Sequence, residues 1–166
     1  MKQDSILVTG SSGLIGGEVV NFFCEKGFKV FGIDNNMREV FFGSQGSTKI
    51  NLTRLENKFS SFKSHNIDIR NRKLIDELIK EKRPNIIVHT AAQPSHDKAA
   101  DIPFLDYEVN AMGTLNLLES IRLIKYYNPI VIICSTSEVY GLVKKKDTPI
   151  KEKQNYNPAS PYAISK

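Results

Sequence analysis

The sequence predicts an α/β fold, a doubly wound parallel sheet with helices on both faces. Three observations carry this. Short apolar runs rich in branched residues alternate with helical-period segments along the chain. A glycine loop, Thr9-Gly10-Ser11-Ser12-Gly13-Leu14-Ile15-Gly16, follows the first run and opens the first helix. Residues suited to binding or chemistry then recur just past each run: Gly10, Asp34, Asp68, Ala91-Ala92-Gln93 and Thr136. The carboxyl ends of parallel strands are where such sheets gather their ligands.

Ser5–Thr9 reads as a buried first strand. Residues 13–26 carry Leu14, Ile15, Val19, Val20, Phe22 and Phe23 at mostly helical spacing, and Gly27 stops the helix. Residues 29–34 form the second strand. An irregular stretch follows over 35–49, then a short helix over 51–59. Residues 63–68 are the third strand. Residues 71–81 are an amphipathic helix with Leu74, Ile75, Leu78 and Ile79 on one face; Asn71 is its expected cap and Pro84 lies beyond its end. Residues 86–90 are the fourth strand. A long helix is expected over 104–125, with Leu105, Val109, Met112, Leu115, Leu118 and Ile121 as its apolar stripe. Residues 130–135 are continuously apolar, so the fifth strand is expected to be buried on both faces. A last helix starts near Tyr162.

The bulk properties narrow the function. With 166 residues the chain fits one domain, and 40% hydrophobic with 25% charged residues suits a globular protein. No apolar run approaches the ~20 residues of a membrane span, and the first apolar run is broken too soon by Gly10 for a secretory signal to be expected. Cys24 and Cys134 are expected as buried reduced thiols, which together points to a cytoplasmic protein. The net charge is +5, partly from Lys144-Lys145-Lys146. Basic residues interleaved with exposed aromatics are missing, so no nucleic-acid partner is expected. His65, His89 and His96 show no metal-ligand spacing, and no metal is expected.

The first half reads as a dinucleotide site. Glycines at 10, 13 and 16 permit a tight turn and close backbone approach to a pyrophosphate, with helix-start amides facing its charge. Asp34 lies 18 residues beyond Gly16, close to the ~20 expected for the acid on the adenine ribose. A carboxylate there favours NAD over NADP, although Arg38 nearby leaves NADP open. Asp68 has two readings, an adenine contact or a strand-end turn former. Asn110 also has two, a cofactor contact or a buried amide tying the helix to a strand. The expected cofactor set also holds Ser12, Leu14 and Ile15 in the loop, Asn35 beside Asp34, Ile69 beside Asp68, and Ala91, Ala92 and Gln93.

The second half reads as acid–base chemistry. Tyr162 and Lys166 stand at i and i+4, on one helix face. A free tyrosine titrates near ~10, too high for a base at neutral pH. A lysine ammonium one turn away stabilises the phenolate and lowers that value. Thr136, just past the fifth strand, offers a hydroxyl to hold a substrate oxygen; it also suits a turn.

Thr9–Gly16, the run Thr136-Ser137-Glu138-Val139-Tyr140-Gly141 and residues 162–166 resemble the extended short-chain dehydrogenase/reductases that act on nucleotide sugars. The resemblance implies a Rossmann domain that binds NAD in the loop after the first strand. It implies Thr136, Tyr162 and Lys166 as the catalytic set, the last two also touching the cofactor. A narrower likeness lies in Asp34-Asn35-Asn36-Met37-Arg38, Ala91-Ala92-Gln93-Pro94-Ser95-His96-Asp97 and Val109-Asn110-Ala111-Met112-Gly113-Thr114-Leu115, with Phe41-Phe42-Gly43 and Gly46-Ser47-Thr48 between. These segments are similar to the CDP-paratose (CDP-tyvelose) 2-epimerases. That implies a CDP-sugar substrate, a transient 2-keto intermediate, and Ser95, His96, Thr136, Ser137 and Glu138 near the sugar. His96 equally suits a surface position.

The pattern departs at Ser137-Glu138, where those epimerases carry Asn-Lys. Thr-Ser-Glu resembles nucleotide-sugar decarboxylases, and the 4,6-dehydratases carry Thr-Asp-Glu. Ser137 cannot replace the acid of that pair, so dehydration is disfavoured. Decarboxylase, dehydratase and a non-catalytic NAD-binding module are the alternatives to an epimerase. Related enzymes continue into a substrate-binding part, so residues 1–166 are expected to be an incomplete Rossmann domain ending before its last strands. Tyr162 and Lys166 are then expected to be weakly held, NAD affinity reduced and turnover near absent. A homo-oligomer is implied only for the full-length protein.

Overall fold

A computed structural model describes residues 4–166. Five parallel strands, β1 (Ser5–Thr9), β2 (Lys29–Ile33), β3 (Phe62–His65), β4 (Ile86–His89) and β5 (Ile130–Ile133), form one sheet in the order β3-β2-β1-β4-β5. The order reverses direction between β1 and β4, which opens a crevice at their carboxyl ends. In register, Thr9 pairs with Ile33 and with His89, and His89 pairs with Ile133. The residues that follow these four therefore share one edge of the sheet.

Period-two alternation along the strands builds two cores. Ile6, Val8, Val30, Phe62 and Val88 face one side, packed with Val20 of α1 (Leu14–Glu25) and, beyond α2 (Met37–Phe42), Leu55 of α3 (Lys49–Lys58). Leu7, Phe31, Ile33 and Ile87 face the other, packed with Ile75 and Ile79 of α4 (Arg72–Lys82). Ile6, Leu7 and Val8 are essentially inaccessible, each burial stabilising the fold by ~1.5–3 kcal/mol. The Asn71 side chain caps α4 by accepting from the Leu74 N–H at 3.2 Å, as its sequence suggested.

Four expectations change outside the long helix and β5. The stretch 35–49 is not wholly irregular: it contains α2 and a 3-10 turn, Ser44–Gly46. Its turn depends on Asn36 and Gly43 at positive φ, which apolar periodicity does not report. The segment after β4 holds α5 (His96–Asp101), unforeseen in sequence and capped by Ser95. The third strand stops at His65, so Asp68 lies three residues past it. Cys134 is only half-buried, while Cys24 is buried as expected, and both are free.

The long helix is interrupted. It runs as α6 (Pro103–Tyr107), a π turn (Glu108–Met112) and α7 (Gly113–Arg122). Val109 is buried, but Met112, Leu115 and Leu118 are 43%, 46% and 39% exposed, whereas Leu117 is 0% exposed. The buried face is Val109, Gly113, Leu117 and Ser120, continuing to Ile124. A strict three-residue spacing lags the helical turn by ~60° per step and walks off that face. β5 is the other correction. Ile130, Ile132 and Ile133 are exposed and only Val131 meets the core. Among the described residues no strand pairs with its outer edge.

Candidate functional site

Past Thr9 the chain turns at Gly10, whose φ of 68° suits glycine. The Gly10 N–H donates to the Ile33 carbonyl at 2.7 Å, and its carbonyl accepts from the Gly13 N–H at 3.0 Å. The first turn of α1 then approaches so closely that a Cβ on Gly16 would sit 2.0 Å from the Gly10 carbonyl oxygen. Gly13 is the N-cap and no side chain caps the helix. The leading N–H groups of this 12-residue helix therefore remain available to a ligand beside the loop.

That loop borders a cleft of about 310 Å³. Gly10, Gly13, Leu14, Ile15 and Gly16 line it, with Asp34, Asn35, Asp68, Ile69, Ala91 and Ala92, all residues singled out in the sequence. Leu14 and Ile15 are thus not core residues, as a helical stripe would have them. Ser12 lies behind the wall. Its N–H donates to Asp34 Oδ2 at 3.0 Å, and Asp34 Oδ1 accepts from the Asn36 N–H at 2.8 Å. Each carboxylate oxygen offers two lone pairs, so Oδ2 can still accept from a sugar hydroxyl.

Three supports were not foreseen. Asn36 Oδ1 accepts from the Thr48 N–H at 2.7 Å, closing the 35–48 segment beside the cleft. Asn51 Nδ2 donates to the Ser12 carbonyl at 2.9 Å, fastening the glycine loop to α3. Arg70 forks onto Asp68, with Nη2 2.7 Å from Oδ2. Burial pushes the Asp68 carboxyl up, but the hydrogen bonds and charge of Arg70 outweigh it and hold it below the usual range. Asp68 forms a turn, since Oδ1 accepts from the Arg70 N–H at 2.8 Å, and it also lines the cleft, so both of its readings stand.

Gln93 and Asn110 do not line that cleft. Both are buried, and Asn110 is the tying amide. Its Oδ1 accepts from the Gln93 N–H at 2.8 Å, while Nδ2 reaches Asp106 Oδ1 at 3.1 Å and Ser165 Oγ at 3.0 Å. Asn110 also borders a smaller cavity of about 130 Å³ with His89, Thr114, Ser165 and Lys166. His89 bridges Thr9 Oγ1 at 2.6 Å and Thr114 Oγ1 at 3.0 Å. Burial, then the charge of Lys166, push its imidazole down to about 4, so it is neutral at pH 7.

Of the expected catalytic residues, Thr136 follows β5, Tyr162 lies in α8 (Pro161–Ser165) and Lys166 directly after it. Ser160 caps α8 by accepting from the Ala163 N–H at 3.1 Å. Thr136 is half-buried and its Oγ1 accepts from the Glu138 N–H at 3.3 Å, which is turn chemistry. Ser137 is exposed and Glu138 half-buried. Ser95 Oγ accepts from the Lys98 N–H at 3.2 Å. The exposed His96 places Nε2 3.8 Å from Glu138 Oε2.

The expected lysine effect on the phenol is not found. Lys166 Nζ donates to the Cys134 carbonyl at 2.8 Å. Burial, then the charges of Glu138 and Asp106, push the Tyr162 phenol up. Burial also pulls Lys166 down, against the opposing influence of Cys134 and Asp106. Tyr162 is therefore protonated at neutral pH in this arrangement. No cluster of three or more His, Cys, Asp or Glu side chains suited to a metal occurs among the described residues. None of their helices is long and apolar enough to cross a membrane.

Residues 7–166 match the family model described as GDP-mannose 4,6 dehydratase. The chain belongs to that family. It is 34% identical over 179 aligned positions to a GDP-mannose 4,6-dehydratase of Vibrio cholerae, covering 100% of this chain and 43% of that protein. It is 34% identical over 138 positions to the CDP-paratose 2-epimerase of Salmonella typhi, covering 82% of this chain and 38% of the relative. The chain thus spans less than half the length of these curated relatives. Among solved structures, the dTDP-glucose 4,6-dehydratase of Bacillus anthracis in complex with NAD superposes with a TM-score of 0.77 at 29% identity. That match covers 98% of this chain and 47% of the dehydratase. The fold is the Rossmann-like sheet expected from sequence, and relatives in the family include both dehydratases and epimerases.

Proposed function

We propose that this chain is the cofactor-binding part of an NAD-dependent enzyme that oxidises a hydroxyl of a nucleotide-bound sugar to a ketone and exploits that ketone in a second step. The observation that carries the proposal is the shared sheet edge. It sets an uncapped glycine-loop helix and Asp34 at one end and Tyr162 with Glu138 at the other. Gly10, Gly13 and Gly16 with the first N–H groups of α1 would hold the pyrophosphate, and Asp34 the adenine ribose. NAD held there would supply a reversible acceptor for hydride from the sugar carbon. Thr136 and Tyr162 would hold the sugar oxygen, and the Tyr162 Oη would exchange its proton. Lys166, one turn on, has its Nζ anchored to the Cys134 carbonyl just past β5.

For the second step we favour loss of water, the reaction of a 4,6-dehydratase. Elimination requires a base for the proton next to the ketone. Glu138 supplies a carboxylate close enough to raise the Tyr162 phenol. Ser137 cannot protonate the departing hydroxyl, but His96 beside Glu138 offers that proton when charged. The family model and the Vibrio relative favour the same reading. The second reading is the CDP-sugar 2-epimerase suggested by the sequence, favoured by the Salmonella relative. Incubating the full-length protein with GDP-mannose and with CDP-, UDP- and dTDP-hexoses distinguishes them. A product lighter by one water supports dehydration, an isomeric product of equal mass supports epimerisation, and turnover of none of the sugars overturns the proposal.

A further inference from the structure

Beneath Tyr162 and Lys166 lies a carboxylate that neither the sequence motifs nor the proposed chemistry uses. Asp106 is in α6 and is 0% exposed. Its Oδ1 accepts from Gln93 Nε2 at 2.9 Å and from Asn110 Nδ2 at 3.1 Å. Its Oδ2 has no hydrogen-bond partner. A buried carboxylate is costly unless donors and positive charge compensate it. The donors are two amides, and Lys166, which makes no ion pair with it, feels its charge through space.

The amides are in turn fully engaged. Asn110 Nδ2 continues to Ser165 Oγ, and Ser165 lies in α8 between Tyr162 and Lys166. Gln93 Nε2 also donates to the Ser95 carbonyl at 2.9 Å, and Gln93 Oε1 accepts from the Ser95 N–H at 2.7 Å. One carboxylate thus joins the loop after β4, the π turn and the short α8.

We propose that Asp106 is a positioning residue for the Tyr162–Lys166 pair, anchoring α8 through Asn110 and Ser165 and setting its carboxyl group beneath both side chains. This rests on the reading of those two residues as the reacting pair. The charged neighbours are few. Glu138 faces Tyr162 from the 3-10 turn after β5, with His96 of α5 behind it. Lys166 donates to the Cys134 carbonyl and feels the charge of Asp106, and its own charge acts on His89 of β4. Asp106 is the group common to Tyr162 and Lys166. It raises the pKa of each, opposing phenolate formation and keeping the lysine charged.

The test uses Asp106→Asn in the full-length protein, which keeps the shape and the Oδ1 acceptor but removes the charge. Tyrosine labelled with 13C at Cζ, with the Tyr162 signal assigned by Tyr162→Phe, reports the phenol without substrate. Asp106→Asn is expected to lower the Tyr162 titration midpoint and move the acidic limb of kcat/KM to lower pH. Ser165→Ala cuts the tether and leaves the charge, so it is expected to lower kcat about 10- to 100-fold with the midpoint unmoved. An unmoved midpoint in Asp106→Asn, or full turnover in Ser165→Ala, overturns the inference. If Asp106→Asn does not fold, Ser165→Ala still decides the tether. If the parent turns over no nucleotide sugar, the functional reading fails while the NMR titration still decides the charge.

Discussion

Replacing Gly16 by alanine sets a methyl where the glycine loop leaves no room. The added Cβ would lie 2.0 Å from the Gly10 carbonyl oxygen, 2.7 Å from its carbon and 2.8 Å from Thr90 Oγ1, against 3.4 Å for ordinary contact. Two of the three atoms are backbone, so no rotamer change relieves the clash. Gly10 must move, yet its N–H is held to Ile33 and its carbonyl to Gly13. Overpacking costs ~1–3 kcal/mol, and losing one of those hydrogen bonds adds ~1 kcal/mol. Gly16→Ala is therefore expected to destabilise by roughly 2–4 kcal/mol and to weaken NAD binding by displacing the leading N–H groups of α1. Gly13→Ala is the control. Its Cβ would meet only the Gly10 carbonyl oxygen, at 3.3 Å, with φ at −71°. It is expected to cost less than ~1 kcal/mol. Urea unfolding followed by circular dichroism, with NAD titration by calorimetry, measures both effects. If Gly16→Ala unfolds at the same urea concentration as the parent and binds NAD equally, the reasoning about close approach is wrong.

His89 makes a pH prediction. Its folded pKa of about 4 lies below the unfolded value near ~6.5, so the unfolded state binds the proton first. That stability is present above pH ~6.5 and is lost as pH falls toward 4, by about 3 kcal/mol; thermal melts across that window should lose this component in His89→Gln. The phase of α7 is tested by a neighbouring pair: Leu117→Ala should cost ~2–5 kcal/mol and Leu118→Ala under ~1 kcal/mol, read by chemical denaturation. Asn51→Ala removes the bond to the Ser12 carbonyl and should cost ~1 kcal/mol; amide exchange in residues 10–14 should quicken. Arg70→Met leaves Asp68 without its fork, and the Asp68 carboxyl should titrate higher, as followed by NMR.

Alternating apolar runs and helical stripes suffice to locate the five strands and to name the strand ends at Gly10, Asp34 and Ala91. Those signals are local: a side chain's face follows from its place in a period of 2 or 3.6 residues. The same logic misplaced α7. Gly113 and Ser120 occupy its buried face while larger apolar residues point outward, because the π turn and close packing set the phase. It also overstated the burial of β5, since a run of isoleucines does not reveal what covers it.

The glycine spacing, the acid after the second strand and the Tyr162–Lys166 interval are properties of the chain itself, and they pointed to the Rossmann-like fold and to the chemistry proposed above. Only tertiary structure decided which groups meet. It fastened Asn51 to a carbonyl 39 residues earlier, tied Asn110 to Ser165 55 residues later, and turned Lys166 onto the Cys134 carbonyl. The physical reason is range. Hydrogen-bonded partners far apart in sequence are chosen by the packing of whole elements, and burial then sets which protons the partners hold.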